Sequence, residues 1–186
     1  MEASEPFSYR IRPATIVDAP AIAKIDVATW RDTYAGVLPQ RLLVDLAPAK
    51  RERAWAHFLM RYPGDAAVAV DATGGTVGFG SCGARRAAAS NYAGEVFTLY
   101  VEADAQGRGV GRRLLLHLFG RLMRRGLPSA LVWVLRDNPS RFFYERLGGK
   151  AVATRPIGVG GIDVDAVAYG WRDLAAILQS QSKAGY

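Results

Sequence analysis

The chain has 186 residues, of which 50% are hydrophobic and 22% charged, and its formal net charge is +7 at pH 7. This composition excludes a disordered chain, and the length predicts a single domain, residues 1–186. One cysteine excludes an internal disulfide. The lack of a long apolar run or a leader-like N-terminus predicts a cytoplasmic protein with no membrane partner.

Apolar periodicity and turn residues predict the elements in chain order. Strands are expected at 7–12, 66–70, 76–82, 95–101, 130–135, 151–154 and 164–171. Helices are expected from an Asp18 cap to Gly36, and at 39–46, 48–60, 109–125 and 138–147. The segments 85–93 and 158–161 are expected to be a loop and a turn, and the tail after residue 178 to be frayed. This order predicts an α/β (α+β) fold, a mixed sheet flanked by helices.

The excess of arginine over lysine favours an anionic ligand, because the planar guanidinium suits phosphate groups. Nucleic acid, a membrane surface and a phosphorylated cofactor all fit this charge. No basic run or basic helix face is long enough to select either of the first two, so no nucleic-acid partner is expected.

The strand at 95–101 leads through a glycine-rich turn into the helix at 109–125. Helix N-termini bind anions, because their first amides lack partners and carry partial positive charge. Arg108, Arg112 and Arg113 crowd this positive end, where a helix alone repels cations and a bound polyanion reverses the effect. The glycine spacing excludes a dinucleotide fingerprint and a Walker loop. A glycine-rich turn with solvated arginines is the alternative.

Residues 106–111, Gln-Gly-Arg-Gly-Val-Gly, follow a strand and open a helix. This run resembles the acetyl-CoA signature of the GNAT superfamily of N-acetyltransferases, Gln/Arg-x-x-Gly-x-Gly/Ala. Asn138 and the run 142–148 are similar to a second block of that family. Two departures are Arg141, where the family has a small residue, and Gly149-Lys150, where an aromatic usually follows the glycine.

The resemblance implies a single GNAT domain with a core over about residues 9–174. Its sheet would be GNAT-like, mixed, mostly antiparallel and twisted, with about seven strands, splayed at its central strands. It implies acetyl-CoA as the acyl donor and no metal. Backbone groups at the strand end would pair with the pantetheine arm, and amides of the glycine turn would hold the pyrophosphate. Asn138 would contact the pantetheine or the acceptor. The cofactor-binding residues implied are Leu99, Tyr100, Val101, Gln106, Gly107, Arg108, Gly109, Val110, Gly111, Arg112 and Asn138.

Two residues are candidates for catalysis. Tyr144 matches the tyrosine of the second family block and would donate a proton or hydrogen bond to the leaving thiolate. Its alternative role is core packing beside two phenylalanines. Glu95 begins an otherwise apolar strand and would serve as a base through a water relay, or steer a cationic acceptor. Its alternative is a solvated strand end.

The acceptor side is less well marked by sequence. Trp30 and Tyr34 lie where the first helices of the family shape the acceptor pocket, although their spacing also fits a core stripe. We predict an N-acetyltransferase that acts on a small-molecule or protein amine in a ternary complex. A homodimer is compatible with this prediction. Two alternatives stay open, a catalytically silent acyl-CoA sensor or interaction module on the same fold and a basic nucleic-acid-binding protein.

Overall fold

The computed structural model describes residues 7–36, 38–86, 91–159 and 161–183. In these residues the strands are β1 (Tyr9–Pro13), β2 (Ala66–Asp71), β3 (Thr76–Ala84), β4 (Gly94–Val101), β5 (Ala130–Leu135), β6 (Lys150–Val159) and β7 (Ile162–Trp171). The helices are α1 (Ala19–Thr33), α2 (Gln40–Val44), α3 (Pro48–Arg61), α4 (Val110–Arg124), α5 (Arg141–Arg146) and α6 (Leu174–Lys183). None of the helices described here has the length and apolar character needed to cross a membrane.

The strands form one seven-stranded sheet in the order β1-β2-β3-β4-β5-β7-β6. Only β4 and β5 run parallel among the strand pairs of the described chain; every other neighbour is antiparallel. The β4–β5 pairing covers three residue pairs, from Gly94 with Ala130 to Val96 with Val132, and then stops. The predicted mixed sheet, mostly antiparallel and splayed at its centre, is confirmed.

Helices cover both faces of the sheet. α4 places an apolar stripe on one face, together with α6, and the stripe is fully buried because its residues recur at helical spacing. Burial of each such leucine stabilises the fold by about 1.5–3 kcal/mol. α1 and α3 cover part of the opposite face through a second cluster that includes Ile22, Ile25, Leu59 and Phe79. The site described below therefore lies between the layer of α4 and α6 and the layer of α1 and α3.

Two elements differ from the sequence-based expectation. β6 runs over ten residues instead of four, because it is an edge strand exposed on both faces and so lacks apolar alternation. The tail expected to fray after residue 178 is instead helical up to Lys183, and Leu174 at its start is completely buried. Asp173 caps α6 by accepting a hydrogen bond from the Ala176 amide at 2.9 Å. Parts of the predicted loop at 85–93 and turn at 158–161 lie outside the described residues.

Asp18 does not cap α1 with its side chain, which corrects the prediction. Its carboxylate instead accepts two hydrogen bonds from Arg12, at 2.7 and 2.8 Å, and one from the Thr15 amide. Burial alone would raise the pKa of Asp18, but these hydrogen bonds hold it below its ordinary value. The ion pair ties β1 to the start of α1.

Gly149, one of the two departures from the family block, is explained by close packing. A Cβ atom at this position would lie 2.7 Å from the Trp171 ring and 2.8 Å from the Tyr144 carbonyl oxygen. Its amide also donates a hydrogen bond to that carbonyl at 2.9 Å. Glycine thus lets the end of α5 approach β7, and this contact positions Tyr144.

Candidate active site

A cavity of about 580 Å³ occupies the gap where β4 and β5 separate. It passes through the sheet, from the N-terminus of α4 on one face to the C-terminal half of α1 on the other. Its lining includes the glycine turn, the free end of β4 and the start of α5. Most of the predicted cofactor-binding residues therefore meet in one place.

The turn before α4 presents unpartnered backbone amides. Gly107 and Gly109 have φ angles of +71° and +81°, a conformation that favours glycine, and Gly109 is the N-cap residue of α4. Across the described chain, the N–H groups of residues 107–111 make no hydrogen bond of good geometry. Five successive donors at the positive end of a helix form a site for an anion such as a diphosphate.

The arginines of this turn have different surroundings, which sequence spacing did not distinguish. Arg112 lines the cavity. Arg108 turns back, donating a hydrogen bond to the Asp104 carbonyl at 3.0 Å and lying over the Phe7 ring. Arg113 lies over the Tyr9 ring. Because the Arg108 side chain makes these contacts, only its backbone amide is placed to bind an anion in the turn.

The end of β4 supplies an open strand edge to the cavity. Leu99, Tyr100 and Val101 all line it, at positions where β4 has no β5 partner. Gln106 donates a side-chain hydrogen bond to the Val101 carbonyl at 3.0 Å. That carbonyl is thereby occupied, and Gln106 ties the strand end to the glycine turn. Unpaired backbone groups at such an edge suit an extended ligand that carries amides of its own.

Tyr144 lines the cavity. The side chain is 5% exposed, and its ring packs against Tyr169 and Trp171. No hydrogen-bond partner for this hydroxyl occurs among the described residues. Burial, with a smaller effect of Tyr34, raises the pKa of Tyr144 above its ordinary value. The Tyr144 hydroxyl is therefore protonated at neutral pH and able to donate a hydrogen bond to a ligand.

Tyr34 and Asn138 meet at the far end of the cavity. The Asn138 amide nitrogen donates to the Tyr34 hydroxyl at 3.4 Å, while its carbonyl oxygen accepts from the Ser140 amide at 2.8 Å. Both residues are buried, and burial raises the pKa of Tyr34. Asn138 thus links the turn before α5 to α1 across the gap.

Trp30 supports the cavity wall without lining it. Its indole nitrogen donates to the Tyr100 hydroxyl at 3.1 Å, and its ring stacks edge-on against Tyr34 at 5.0 Å. Of the two residues predicted to shape the acceptor pocket, only Tyr34 borders the cavity. Thr29 and Thr33 border it as well and were missed, although they lie one helical turn apart on α1.

Glu95 lies away from this cavity. It is 3% exposed, so the alternative of a solvated strand end is wrong. Its carboxylate accepts hydrogen bonds from the Arg86 amide at 2.9 Å and from two guanidinium nitrogens of the same residue. It borders a second cavity of about 410 Å³ on the face opposite α4. The structure therefore separates the two candidate catalytic residues, Tyr144 and Glu95.

Cys82 has no exposed thiol for covalent chemistry. The residue is fully buried beneath α4, and burial raises the pKa of its thiol to about 12. A thiolate nucleophile is therefore scarce at neutral pH. The part of the chain that the structure describes holds no group of three or more His, Cys, Asp or Glu residues able to bind a metal ion.

Asp26 is a buried carboxylate on α1, in the helix layer behind the cavity. It is 2% exposed, accepts a hydrogen bond from the Trp55 indole at 2.9 Å and lies 3.5 Å from Arg51. Burial raises the pKa of Asp26, and these two partners offset only part of the effect. Because the folded-state pKa exceeds the unfolded value, ionisation costs stability above a pH of about 3.9.

Asp26→Asn is therefore expected to raise the melting temperature at pH 7 by about 2–4 °C. Asparagine keeps an acceptor for Trp55 and carries no charge. The gain should vanish below about pH 4, where the carboxyl group is protonated in both states. Thermal melts from pH 3 to 8 measure it, with exposed Asp32→Asn on the same helix as the control. A lower melting temperature at pH 7 would contradict the argument.

Comparison with known proteins agrees with this geometry. The acetyltransferase (GNAT) family model matches residues 27–149. The uncharacterised N-acetyltransferase YuaI of Bacillus subtilis is 33% identical over 167 residues, which are 90% of this chain and 95% of YuaI.

Two solved structures match most of the chain. The structure of yncA from Salmonella typhimurium, assigned as an acetyltransferase and bound to acetyl-CoA, has a TM-score of 0.67 and 26% identity, covering 90% of this chain and 94% of that one. The ribosomal-protein-alanine N-acetyltransferase of Brucella melitensis has a TM-score of 0.67 and 25% identity, covering 87% and 98%. The chain belongs to the acetyltransferase (GNAT) family, as its sequence predicted.

Proposed function

We propose that the protein transfers the acetyl group of acetyl-CoA to a primary amine by direct attack in a ternary complex. The observation that carries this proposal is the row of unpartnered amides at residues 107–111, which opens onto the free edge of β4. A diphosphate followed by an extended amide-bearing arm has the complementary chemistry. The yncA structure, which holds acetyl-CoA on a similar fold, supports the same donor.

The chain's own groups would hold that donor along its length. Amides of residues 107–112 would bind the pyrophosphate, with Arg112 adding a positive charge beside them. Backbone groups of Leu99 and Tyr100 would pair with the pantetheine arm at the open edge. Asn138 would hold the far end of the arm, or the acceptor, through its amide. Acetyl-CoA supplies an activated thioester.

The acceptor amine must lose a proton before it attacks. A lysine-like amine has a pKa of about 10.4, so making it neutral at pH 7 costs about 4–5 kcal/mol. Glu95 as the base stays a prediction. Its carboxylate is held by Arg86, so proton uptake requires that this ion pair loosen or that water carry the proton onward. Without either, the proton leaves to solvent along the cavity.

Tyr144 would act on the leaving sulfur. As the amine nitrogen bonds to the acetyl carbon, the carbon–sulfur bond breaks and negative charge collects on the thiolate. The raised pKa of Tyr144 keeps its hydroxyl protonated, so it can donate a hydrogen bond to that sulfur. The balance is ammonium plus thioester giving amide, thiol and one proton.

A screen for thiol release with acetyl-CoA tests this function. The panel contains small polyamines, amino acids, aminosugars, lysine peptides and a peptide with an N-terminal alanine. The last is included because the similar Brucella protein is a ribosomal-protein-alanine N-acetyltransferase. At least one amine class is expected to release thiol above the rate without amine. Acetyl-CoA binding without any release would favour the silent sensor. Nucleic-acid binding that falls steeply with salt and is not displaced by CoA would favour the other alternative, a basic nucleic-acid-binding protein.

A further inference from the structure

We propose that the second cavity binds an anionic group of the acceptor, so that the substrate is a small amine that also carries a carboxylate or phosphate. This inference rests on the proposed function. The cavity has a volume of about 410 Å³, a size that suits a small molecule. Arg85, Arg155 and Arg172 border it, together with Glu95 and two aromatic residues, Tyr92 and Trp133.

Strand register places these groups on one face of the sheet. Glu95 of β4 pairs with Leu131, and Trp133 lies two residues further along β5 on the same face. Leu135, next on that face, pairs with Ala166 of β7, which in turn pairs with Arg155 of β6. This face of the sheet is the one opposite α4.

The charge of the cavity is strongly positive. Among the described residues, no carboxylate lies within 4 Å of the guanidinium groups of Arg85, Arg155 or Arg172. The carboxylate of Glu95 is already matched by Arg86. The neighbouring segment 87–90 is Ala-Ala-Ala-Ser and carries no charge. An anion in this cavity would therefore meet cations that lack counter-charges in the described chain.

Aromatic rings hold two of these arginines. The Arg155 guanidinium lies 4.2 Å from the centre of the Trp133 ring, and that of Arg172 lies 5.6 Å from the centre of the Tyr92 ring. Tyr92 is itself fixed, because it packs so closely on Gly170 that a Cβ there would lie 2.5 Å away. A guanidinium held on a ring keeps its edge N–H groups available, in the geometry that carboxylate and phosphate oxygens accept.

The cavity adjoins the gap between β4 and β5. Trp133 borders both cavities. Glu95 lies one residue before Val96, the last β4 residue paired with β5, so the cavity begins only about 3–7 Å along the strand from the gap. An acceptor anchored by its anionic group would extend its amine past Trp133 toward the thioester end. Glu95 would then face the amine rather than the anion.

Matched acceptor pairs test this inference. Each pair differs only in the anion: an amino acid against its carboxamide, and phosphoethanolamine against ethanolamine, all followed by thiol release. The charged member of a pair is expected to have a kcat/KM at least about tenfold higher. The double variant Arg155→Gln/Arg172→Gln should reduce that ratio to about threefold or less, mainly through KM, and leave acetyl-CoA affinity unchanged. Arg53→Gln, an exposed arginine on α3, is the matched control.

A second experiment tests the same site without turnover. Calorimetry measures the binding of N-acetyl amino acids and N-acetyl phosphoethanolamine in the presence of CoA. Binding that is lost in the double variant supports the inference, even where no amine of the panel is acetylated. Equal or better use of the uncharged members, or acid binding that the double variant retains, overturns it. Acetyl-CoA turnover with uncharged amines alone would leave the proposed function intact and remove only this inference.

Discussion

Gly111→Glu is expected to weaken acetyl-CoA binding about 100-fold or more while the protein stays folded. Gly111 lies in the first turn of α4, and a Cβ there would meet only the Phe143 ring at 3.5 Å and Val101 at 3.7 Å, both ordinary contacts. Glutamate also suits a helix N-terminus, so folding is not impaired. Its carboxylate would occupy the anion site and repel the pyrophosphate. Loss of one or two charge-assisted hydrogen bonds accounts for about 2.7 kcal/mol, the free energy of a 100-fold change.

Gly120→Glu is the matched control on the same helix. A Cβ at Gly120 would touch only the guanidinium of Arg124, at 3.5 Å, and the added carboxylate would pair with it. The two variants therefore carry the same charge change, in opposite halves of α4. Calorimetric titration with acetyl-CoA should give a Kd near the wild-type value for this control. An unchanged Kd in Gly111→Glu would show that the glycine turn does not hold the pyrophosphate.

Tyr144→Phe is expected to lower kcat by about 10²–10⁴, the usual contribution of a positioned acid, with little change in acetyl-CoA affinity. The substitution removes one hydroxyl that has no hydrogen-bond partner in the described chain and keeps the ring packed against Trp171. Stability should therefore be retained, since no internal hydrogen bond is lost. Because the pKa of Tyr144 is raised, the wild-type hydroxyl stays protonated from pH 6 to 9, and the loss should be nearly constant over that range.

Tyr169→Phe provides the control for the tyrosine. Its hydroxyl donates to Glu145 at 2.8 Å, and its ring stacks near that of Tyr144 without bordering the cavity. This variant should keep its kcat. Single-turnover thiol release with saturating donor separates the chemical step from product release. A Tyr144→Phe enzyme with full kcat and an unaltered pH profile would remove the residue from the reaction.

The strand, glycine turn and helix at 95–125 were predictable because their signals are local. A left-handed glycine at the N-cap and an apolar stripe at helical spacing act within a few residues of sequence. The splayed sheet was predicted only from the resemblance to the family, because the hydrophobic periodicity of a sequence does not show which strand edges stay unpaired. Acetyl-CoA as the donor followed from the same resemblance.

The partner of Glu95 could not be predicted, because Arg86 lies in a loop of low sequence information and meets the carboxylate only in the folded chain. The same holds for the arginines of the glycine turn. Arg108 and Arg112 lie four residues apart in sequence, but their side chains differ in position. Arg108 packs over the Phe7 ring, whereas Arg112 lines the cavity. β6 was underestimated for a different reason: an edge strand needs a hydrogen-bonding neighbour but no apolar face. The start of α6 does carry a local signal, because Asp173 is a capping residue directly before an apolar stripe.

The short pairing of β4 with β5 leaves the sheet interrupted at its centre. Three residue pairs join the halves β1–β4 and β5–β7, and beyond them each half ends in an unsatisfied edge inside the molecule. A donor that inserts between these edges continues the interrupted ladder of the native state and has no counterpart in the unfolded chain. By mass action, a donor concentration of 100 times Kd would add about 2.7 kcal/mol to the stability. If acetyl-CoA binds at this edge as proposed, the free energy of unfolding would rise with the supply of acyl donor.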